Sequence, residues 1–304
     1  MIRAFGSERQ KFRYANRQID KARSLLDYPV QRVETEREPV LEDLRSTSII
    51  PNRIVQTFRS PNVIGPIQSA IMRWQEINPE FGYQYFDEDS CRKFIQRFYP
   101  ENVLRAYDIV IPGAYKADLW RYCFLAKFGG VYADIRSEPV CALRTILSAH
   151  DRQPFSFVCT RDMEGKDLHG RAYLYNAFIA AVPAHPFIIA ALERTVDNIL
   201  NRKYGRDILD ISGPACLGAA ANIVLKRPID SHFELGDHDH PAAGRYKILE
   251  QREDNFHRFI IADDDQPMIV TKCIHPDFKL LDARITEKRY SQYYNRRNVF
   301  RDTE

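Results

Sequence analysis

Strand and helix alternate across residues 53–98, and that alternation constrains the fold more than any other feature of the chain. Arg53-Ile54-Val55-Gln56-Thr57-Phe58 is an apolar run of strand length. Pro66 suits the first turn of a helix, and Ile67, Ala70, Ile71, Trp74 and Ile77 follow at helical spacing. Asn78-Pro79 ends that helix. Tyr83-Gln84-Tyr85-Phe86 reads as a second strand, with Asp87 and Asp89 at its end and a helix over 90–98 behind them. Such an order builds a parallel sheet with helices on its faces, so the predicted class is α/β.

Residues 117–140 read ADLWRYCFLAKFGGVYADIRSEPV. A helix over 114–128 carries an apolar stripe of Leu119, Cys123, Leu125 and Phe128, and Gly129-Gly130 stops it. Val131-Tyr132-Ala133-Asp134-Ile135 is then a strand running into a polar turn. Later strands are expected at 155–159, 174–182, 246–250, 257–262 and 268–274. An amphipathic helix follows Pro186 as far as residue 203, and a small-residue helix, 215–225, follows Gly213-Pro214. Residues 227–245 are polar and turn-rich and read as a loop. Residues 1–48 are charged with little sustained period. They read as a partly helical N-terminal extension, which places the folded domain at 49–304.

The 304 residues, 44% of them hydrophobic, can bury a core without disulfide or metal staples. Forty-four basic against 41 acidic residues leave a net charge of +3, which gives no electrostatic footprint for nucleic acid. No apolar run approaches about 18 residues, so no transmembrane helix is expected. The first twenty residues have no apolar signal core, and the six cysteines form no CxxC pair. A soluble, cytoplasmic protein with free thiols is the expectation. Seven basic residues in the first 23 allow peripheral contact with an anionic membrane, although interspersed acids fit a solvated helix face. The G-x-S-x-G, P-loop and G-x-G-x-x-G patterns are absent, so hydrolase, NTPase and dinucleotide-binding readings have no support.

Asp118 and Arg121 stand three apart on one helix and therefore share a face. They can aim a carboxylate and a guanidinium at one ligand. Asp134 ends the next strand, where ligands bind in open α/β sheets. A carboxylate there can hold a ribose hydroxyl or a metal–phosphate group. The spacing equally permits a surface ion pair, with Asp134 capping a turn.

The same stretch resembles the signature of glycosyltransferase family 32, whose members carry the DXD sugar-binding motif and include capsular-polysaccharide-type enzymes. The residues concerned are Asp118, Arg121, Tyr122, Gly129, Gly130, Tyr132 and Asp134. Ile50 to Phe58 is similar to the family's opening strand. Asn78-Pro79 with Tyr85 and Asp89, Asn176-Ala177-Phe178 with His185-Pro186, Gly213-Pro214, and Tyr290 through Phe300 follow in the family's order. The resemblance implies a GT-A fold, a Rossmann-like nucleotide-sugar-binding sheet. It also implies a hexosyltransferase that moves sugar from a UDP- or GDP-sugar to a glycan, lipid or protein acceptor, with retention. Asp134 would reach the ribose and the metal-bridged diphosphate, Asp118 and Arg121 the donor sugar, Val55-Gln56-Thr57 the base, and Tyr132 the nucleotide. Asn176 would orient sugar or acceptor, or else satisfy backbone.

The chain departs from the family at one place: the second motif Asp is Arg136. Three outcomes are open. Asp134 with Glu138, His275 or Asp277 holds Mn²⁺ or Mg²⁺; or Arg136 meets the diphosphate directly; or transfer is lost, leaving a non-catalytic nucleotide-sugar or glycan-binding protein. His238 and His240 make a second metal candidate in a stretch that reads as a solvated loop, and His185 reads as a helix cap.

Overall fold

Ile54 and Val55 point to opposite sides of one strand, and neither is exposed. A strand covered on both faces belongs in the middle of a layered α/β sheet. The computed structural model describes residues 30–38, 48–147, 154–163, 172–254, 257–261, 265–273 and 290–301. The first half holds β1 (Val30–Arg32), β2 (Glu36–Arg37), β3 (Arg53–Thr57), β4 (Asn62–Ile64), α1 (Gly65–Ile77), β5 (Gly82–Phe86), α2 (Glu88–Phe98), α3 (Glu101–Ile109) and α4 (Gly113–Phe128). Then come β6 (Gly130–Ala133), β7 (Glu138–Pro139), α5 (Arg144–Leu147), β8 (Phe157–Arg161), β9 (Leu174–Ala181), α6 (Pro186–Leu200) and α7 (Pro214–Val224). The last part is β10 (Gly236–His240), β11 (Gly244–Glu253), β12 (His257–Ile261), β13 (Pro267–Cys273) and α8 (Tyr290–Asn295).

One mixed sheet runs in the order β2-β5-β3-β6-β9-β8-β11-β12-β13-β7, with β10 added to β11. Its β5-β3-β6 section is parallel, as the strand–helix alternation requires. β9 then lies antiparallel between β6 and β8. Helices cover both faces. Val55 and Tyr132 join a core with residues of α2, α3, α4, α6 and α7. Ile54, Val131 and Ala133 join a second core with Ile71 and Trp74 of α1 and Ile146 of α5. The expected mixed α/β architecture is therefore present.

Two expectations need correction. The helix over residues 113–128 has no single apolar stripe: buried positions on α4 run from Tyr115 to Ala126 and include Lys116, Asp118 and Arg121. Other helices surround it, so polar residues on it are interior residues. The loop expected over 227–245 contains β10, paired with β11 from Gly236↔Ile248 to His240↔Gly244. The alternation of Asp237 and Asp239 with His238 and His240 is the period of a strand, and burial follows it. Of the N-terminal segment, the described residues 30–38 hold two short strands: β1 pairs with β4 and β2 with β5.

Candidate active site

Gly129 and Gly130 set where the site begins. Both have positive φ, 63° and 105°, and a Cβ on Gly130 would stand 2.3 Å from Arg53 Cγ. The two glycines turn the end of α4 directly into β6. This brings Asp118 and Arg121 on the helix against Asp134, which follows β6 at the carboxyl edge of the parallel strands. The Asp134 main-chain NH donates to Ala177 O at 2.8 Å.

Arg121 lies at the centre. It is only 4% exposed, and Asp118 only 7%. Its guanidinium meets Asp118 Oδ1 at 3.1 Å and Asp134 Oδ1 at 3.3 Å. It donates to Asn176 O at 2.6 Å and Ala117 O at 3.2 Å, and it lies 4.2 Å from the centre of the Tyr132 ring. Asp118 accepts from Asn176 Nδ2 at 2.9 Å and from Ser212 Oγ at 2.8 Å. Asn176 Nδ2 also reaches the Tyr122 hydroxyl at 3.0 Å, and that hydroxyl donates to Ser212 O at 2.8 Å. The surface-pair reading of Asp118 and Arg121 is thereby excluded. Burial pushes the Asp118 carboxyl above its ordinary pKa, against the pull of Arg121 and of the Ser212 and Asn176 hydrogen bonds, while Asp134 adds repulsion. Burial also opposes the Arg121 charge, but Tyr132, Asp134 and Asp118 outweigh it and hold its pKa above the ordinary value.

Asp134 is the point where this buried network opens to solvent, its side chain being 43% exposed. Tyr132 OH donates to Asp134 Oδ1 at 2.8 Å. The turn that carries Asp134 is pinned from several sides. Ser137 donates to Asp134 O through N at 2.9 Å and through Oγ at 2.6 Å. Gln56 Nε2 donates to the same oxygen at 3.1 Å, and Trp74 Nε1 donates to Ser137 O at 2.8 Å. Val55 is wholly buried in the core, and Gln56 accepts from Tyr83 OH at 2.9 Å through its other end. Thr57 donates to Phe86 O at 2.8 Å at the strand end.

Arg136 and Glu138 are exposed beyond Asp134. His275 and Asp277 lie outside the described residues. Among the described residues no three His, Cys, Asp or Glu side chains gather around one point. At this edge one carboxylate, Asp134, stands with its Oδ1 engaged by Arg121 and Tyr132. The described donor set does not fit a divalent ion by itself. His238 instead bonds Glu234 O at 2.9 Å and stacks on Tyr246 at 5.0 Å. Asp237 is paired with Arg245 and Lys247.

Sequence reading missed Ser212, which closes the network from 94 residues away. Its one signal is its place immediately before the Gly213-Pro214 turn. A Cβ on Gly213 would come 3.7 Å from Asp118 Oδ2, so the turn passes close over the carboxylate.

The family model for the glycosyltransferase sugar-binding region containing the DXD motif matches residues 66–153. The putative glycosyltransferase HOC1 of Saccharomyces cerevisiae is 25% identical over 226 residues, 67% of this chain and 57% of the relative. Inositol phosphoceramide mannosyltransferase 3 of Schizosaccharomyces pombe is 31% identical over 29% of this chain and 25% of its own length. The initiation-specific alpha-1,6-mannosyltransferase of Candida albicans is 34% identical over 20% of this chain and 17% of its own length. The chain thus spans 57% or less of each of these relatives. Among solved structures, the PaToxG glycosyltransferase is similar at a TM-score of 0.43 and 16% identity, over 71% of this chain and 80% of that one. Residues 66–153 of this chain therefore match the glycosyltransferase sugar-binding region containing the DXD motif, and the chain is similar to glycosyltransferases over a wider stretch.

Proposed function

We propose that the protein transfers a hexose from a nucleotide sugar to a hydroxyl of a glycan, lipid or protein acceptor, using a GT-A-type donor site. The observation that carries this reading is the buried Asp118–Arg121–Asn176–Ser212 network that opens at Asp134. Polar groups fixed inside a protein and converging on one exposed carboxylate are suited to gripping the hydroxyls of a sugar. Two of the relatives are named mannosyltransferases, which makes GDP-mannose the first donor to test and UDP-sugars the second.

Asp118 and Arg121 hold the donor sugar, and Asp134 holds the ribose or diphosphate side. Tyr132 sets the position of both Arg121 and Asp134. In the transfer, the acceptor oxygen bonds the anomeric carbon as the bond from that carbon to the diphosphate oxygen breaks. The acceptor proton goes to the departing diphosphate. Attack from the same face retains configuration and needs no side-chain nucleophile. Mn²⁺ or Mg²⁺ is the helper that the family resemblance implies, with Asp134 and Glu138 as the described candidates and His275 and Asp277 beyond them. The transferase unit is taken as residues 49–304, with residues 30–38 lending edge strands. Cys91, Cys123, Cys159 and Cys216 are free and buried and Cys141 is free and half-buried, which suits a reducing, cytoplasmic setting. Among the described residues no helix is long and apolar enough to cross a membrane.

The test is turnover of GDP-mannose and a panel of UDP-sugars, monitored by release of nucleoside diphosphate, in the native protein and in Asp134→Ala. Turnover in the native chain that falls by two or more orders of magnitude in the variant, with an unchanged melting curve, is the expected result. Full activity in Asp134→Ala would overturn the site assignment.

A further inference from the structure

Between α2, β5 and the last turns of α4 runs a groove of about 470 Å³, a volume that suits a small ligand. Its floor is aromatic: Phe86 of β5, Phe94 and Phe98 of α2, and Phe124 and Phe128 of α4. The rings are packed on one another. Phe94 stacks on Phe124 with centres 5.5 Å apart, and Phe98 meets Phe94 at 5.0 Å and Phe128 at 5.4 Å. Phe86, Phe98 and Phe128 are only partly buried, so apolar surface is left facing the groove. The rim is basic. Arg53 enters from the start of β3, and Lys93 and Arg97 stand four apart on one face of α2. The Arg97 guanidinium lies 5.0 Å from the centre of the Phe98 ring, and that of Arg53 lies 5.6 Å from Phe128. Lys127 adds a fourth cation, 5.6 Å from the Phe98 ring.

These charges call for an anion. None of the residues that line the groove is acidic. Nearby cations are neutralised, Arg92 by Asp108 at 2.7 Å and Lys116 by Glu88. Among the described residues no ion pair engages Arg53, Lys93, Arg97 or Lys127. The occupant also needs an apolar part free of hydrogen-bonding groups, because phenylalanine rings cannot satisfy them. A polypeptide brings an amide at every residue. The strand edge that could pair with it is taken, since β2 lies on β5 with Glu36 opposite Gln84. A hydrocarbon chain brings no such groups, and an anionic head joined to a hydrocarbon chain is a lipid. Lys93, Arg97 and Lys127 are exposed, as residues that meet the headgroups of a membrane must be.

We propose that this face docks on an anionic membrane, taking the phosphate of one phospholipid among Arg53, Lys93 and Arg97 and an acyl chain of it along the phenylalanine floor. Charge at the rim draws the protein to the surface, and burial of chain methylenes holds it there. Docking draws on no residue of the Asp118–Arg121–Asp134 network. Phe128 precedes β6 and Asp134 follows it, so the docked protein keeps its Asp134 edge away from the groove.

The experiment is flotation of the full chain with phosphatidylcholine vesicles, with and without phosphatidylglycerol. The proteins are the native chain, Lys93→Gln, Arg97→Gln and Arg73→Gln, and melting curves check that each keeps its fold. Arg73 is an exposed residue of α1, on the other face of the sheet, and controls for the loss of one charge. The native chain should bind only the vesicles that contain phosphatidylglycerol. Lys93→Gln and Arg97→Gln should each bind about fivefold more weakly, and Arg73→Gln as the native chain does. Fluorescence reads the floor. Trp120 lies 4.8 Å from Phe86 and 5.4 Å from Phe124, whereas the other tryptophan, Trp74, packs in the second core. Phosphatidylglycerol with brominated acyl chains should quench the native protein, and Trp120→Phe should remove that quenching. Failure to bind the anionic vesicles, equal binding to both kinds, or groove variants that bind as Arg73→Gln does would overturn the proposal. So would flotation without quenching, which leaves contact between surface charges alone. A soluble glutamate-rich peptide that binds the native chain and not the Gln variants, with no flotation, would give the groove to an acidic protein segment and overturn the lipid.

Discussion

A guanidinium with 4% exposure must find all its partners inside the protein, and Arg121 finds them in two carboxylates, two main-chain carbonyls and a tyrosine ring. Buried ion pairs respond unequally to losing one member. Asp118→Ala leaves Arg121 with a single carboxylate, takes the acceptor of Ser212 Oγ and removes one of the acceptors of Asn176 Nδ2. That variant should lose about 3–5 kcal/mol of stability in urea unfolding. Asp118→Asn keeps the shape and an acceptor oxygen. It should lose distinctly less stability and still lose transfer activity, which separates holding the fold from gripping the donor. The helical spacing of Asp118 and Arg121 was legible in the sequence because a three-residue step fixes a shared face. Their burial was not, because it depends on what surrounds α4. Ser212 was not legible at all, since a loop residue reaches a carboxylate 94 positions away only through the packing of α7.

At the scale of elements, junctions matter most. The α4–β6 junction depends on Gly130, where φ is 105° and a Cβ would press on Arg53 Cγ and, at 2.9 Å, on Arg53 O. Gly130→Ala should cost about 2 kcal/mol or more and lower the melting temperature measured by circular dichroism. A second junction is His185 at the start of α6. Its Nδ1 accepts from Phe187 N at 3.2 Å and its Nε2 donates to Ala243 O at 3.0 Å. Only the neutral ring can do both. Burial lowers its pKa from 6.5 to about 4. The unfolded chain therefore takes up a proton at His185 in that window and the folded chain does not, so stability falls as pH drops from 6.5 toward 4. The loss amounts to about 3 kcal/mol when complete. Urea midpoints at pH 7 and 4.5 should differ by less in His185→Asn, which keeps a helix-capping oxygen. The cap was legible from the His-Pro pair, as were most of the longer strands and helices, but not α3 (Glu101–Ile109) or β10 (Gly236–His240). The strands of two or three residues, β1, β2, β4 and β7, were not, because so few residues carry no period.

Across the whole molecule, the helices on either face of the sheet converge on one short turn. Trp74 of α1 reaches Ser137 from one side, and Arg121 of α4 reaches Asp134 from the other. The same turn leads straight into β7, and β7 has its partner in β13, where Val270 lies opposite Glu138 and Ile269 opposite Pro139. The turn is thus braced by a strand that the chain supplies only some 130 residues later (267 − 138 = 129). Contacts so far apart in sequence form late in folding, because the loop between them must first be closed. Early in folding, β3, β5 and β6 can pair locally while the Asp134–Glu138 turn still lacks its brace. Donor binding should therefore return with the slowest step when denatured protein is diluted into buffer, after most of the helical signal has recovered, and simultaneous recovery would argue against this order. If that edge holds the donor as proposed, a chain folded in this sequence completes it last, and incompletely folded molecules should not engage donor.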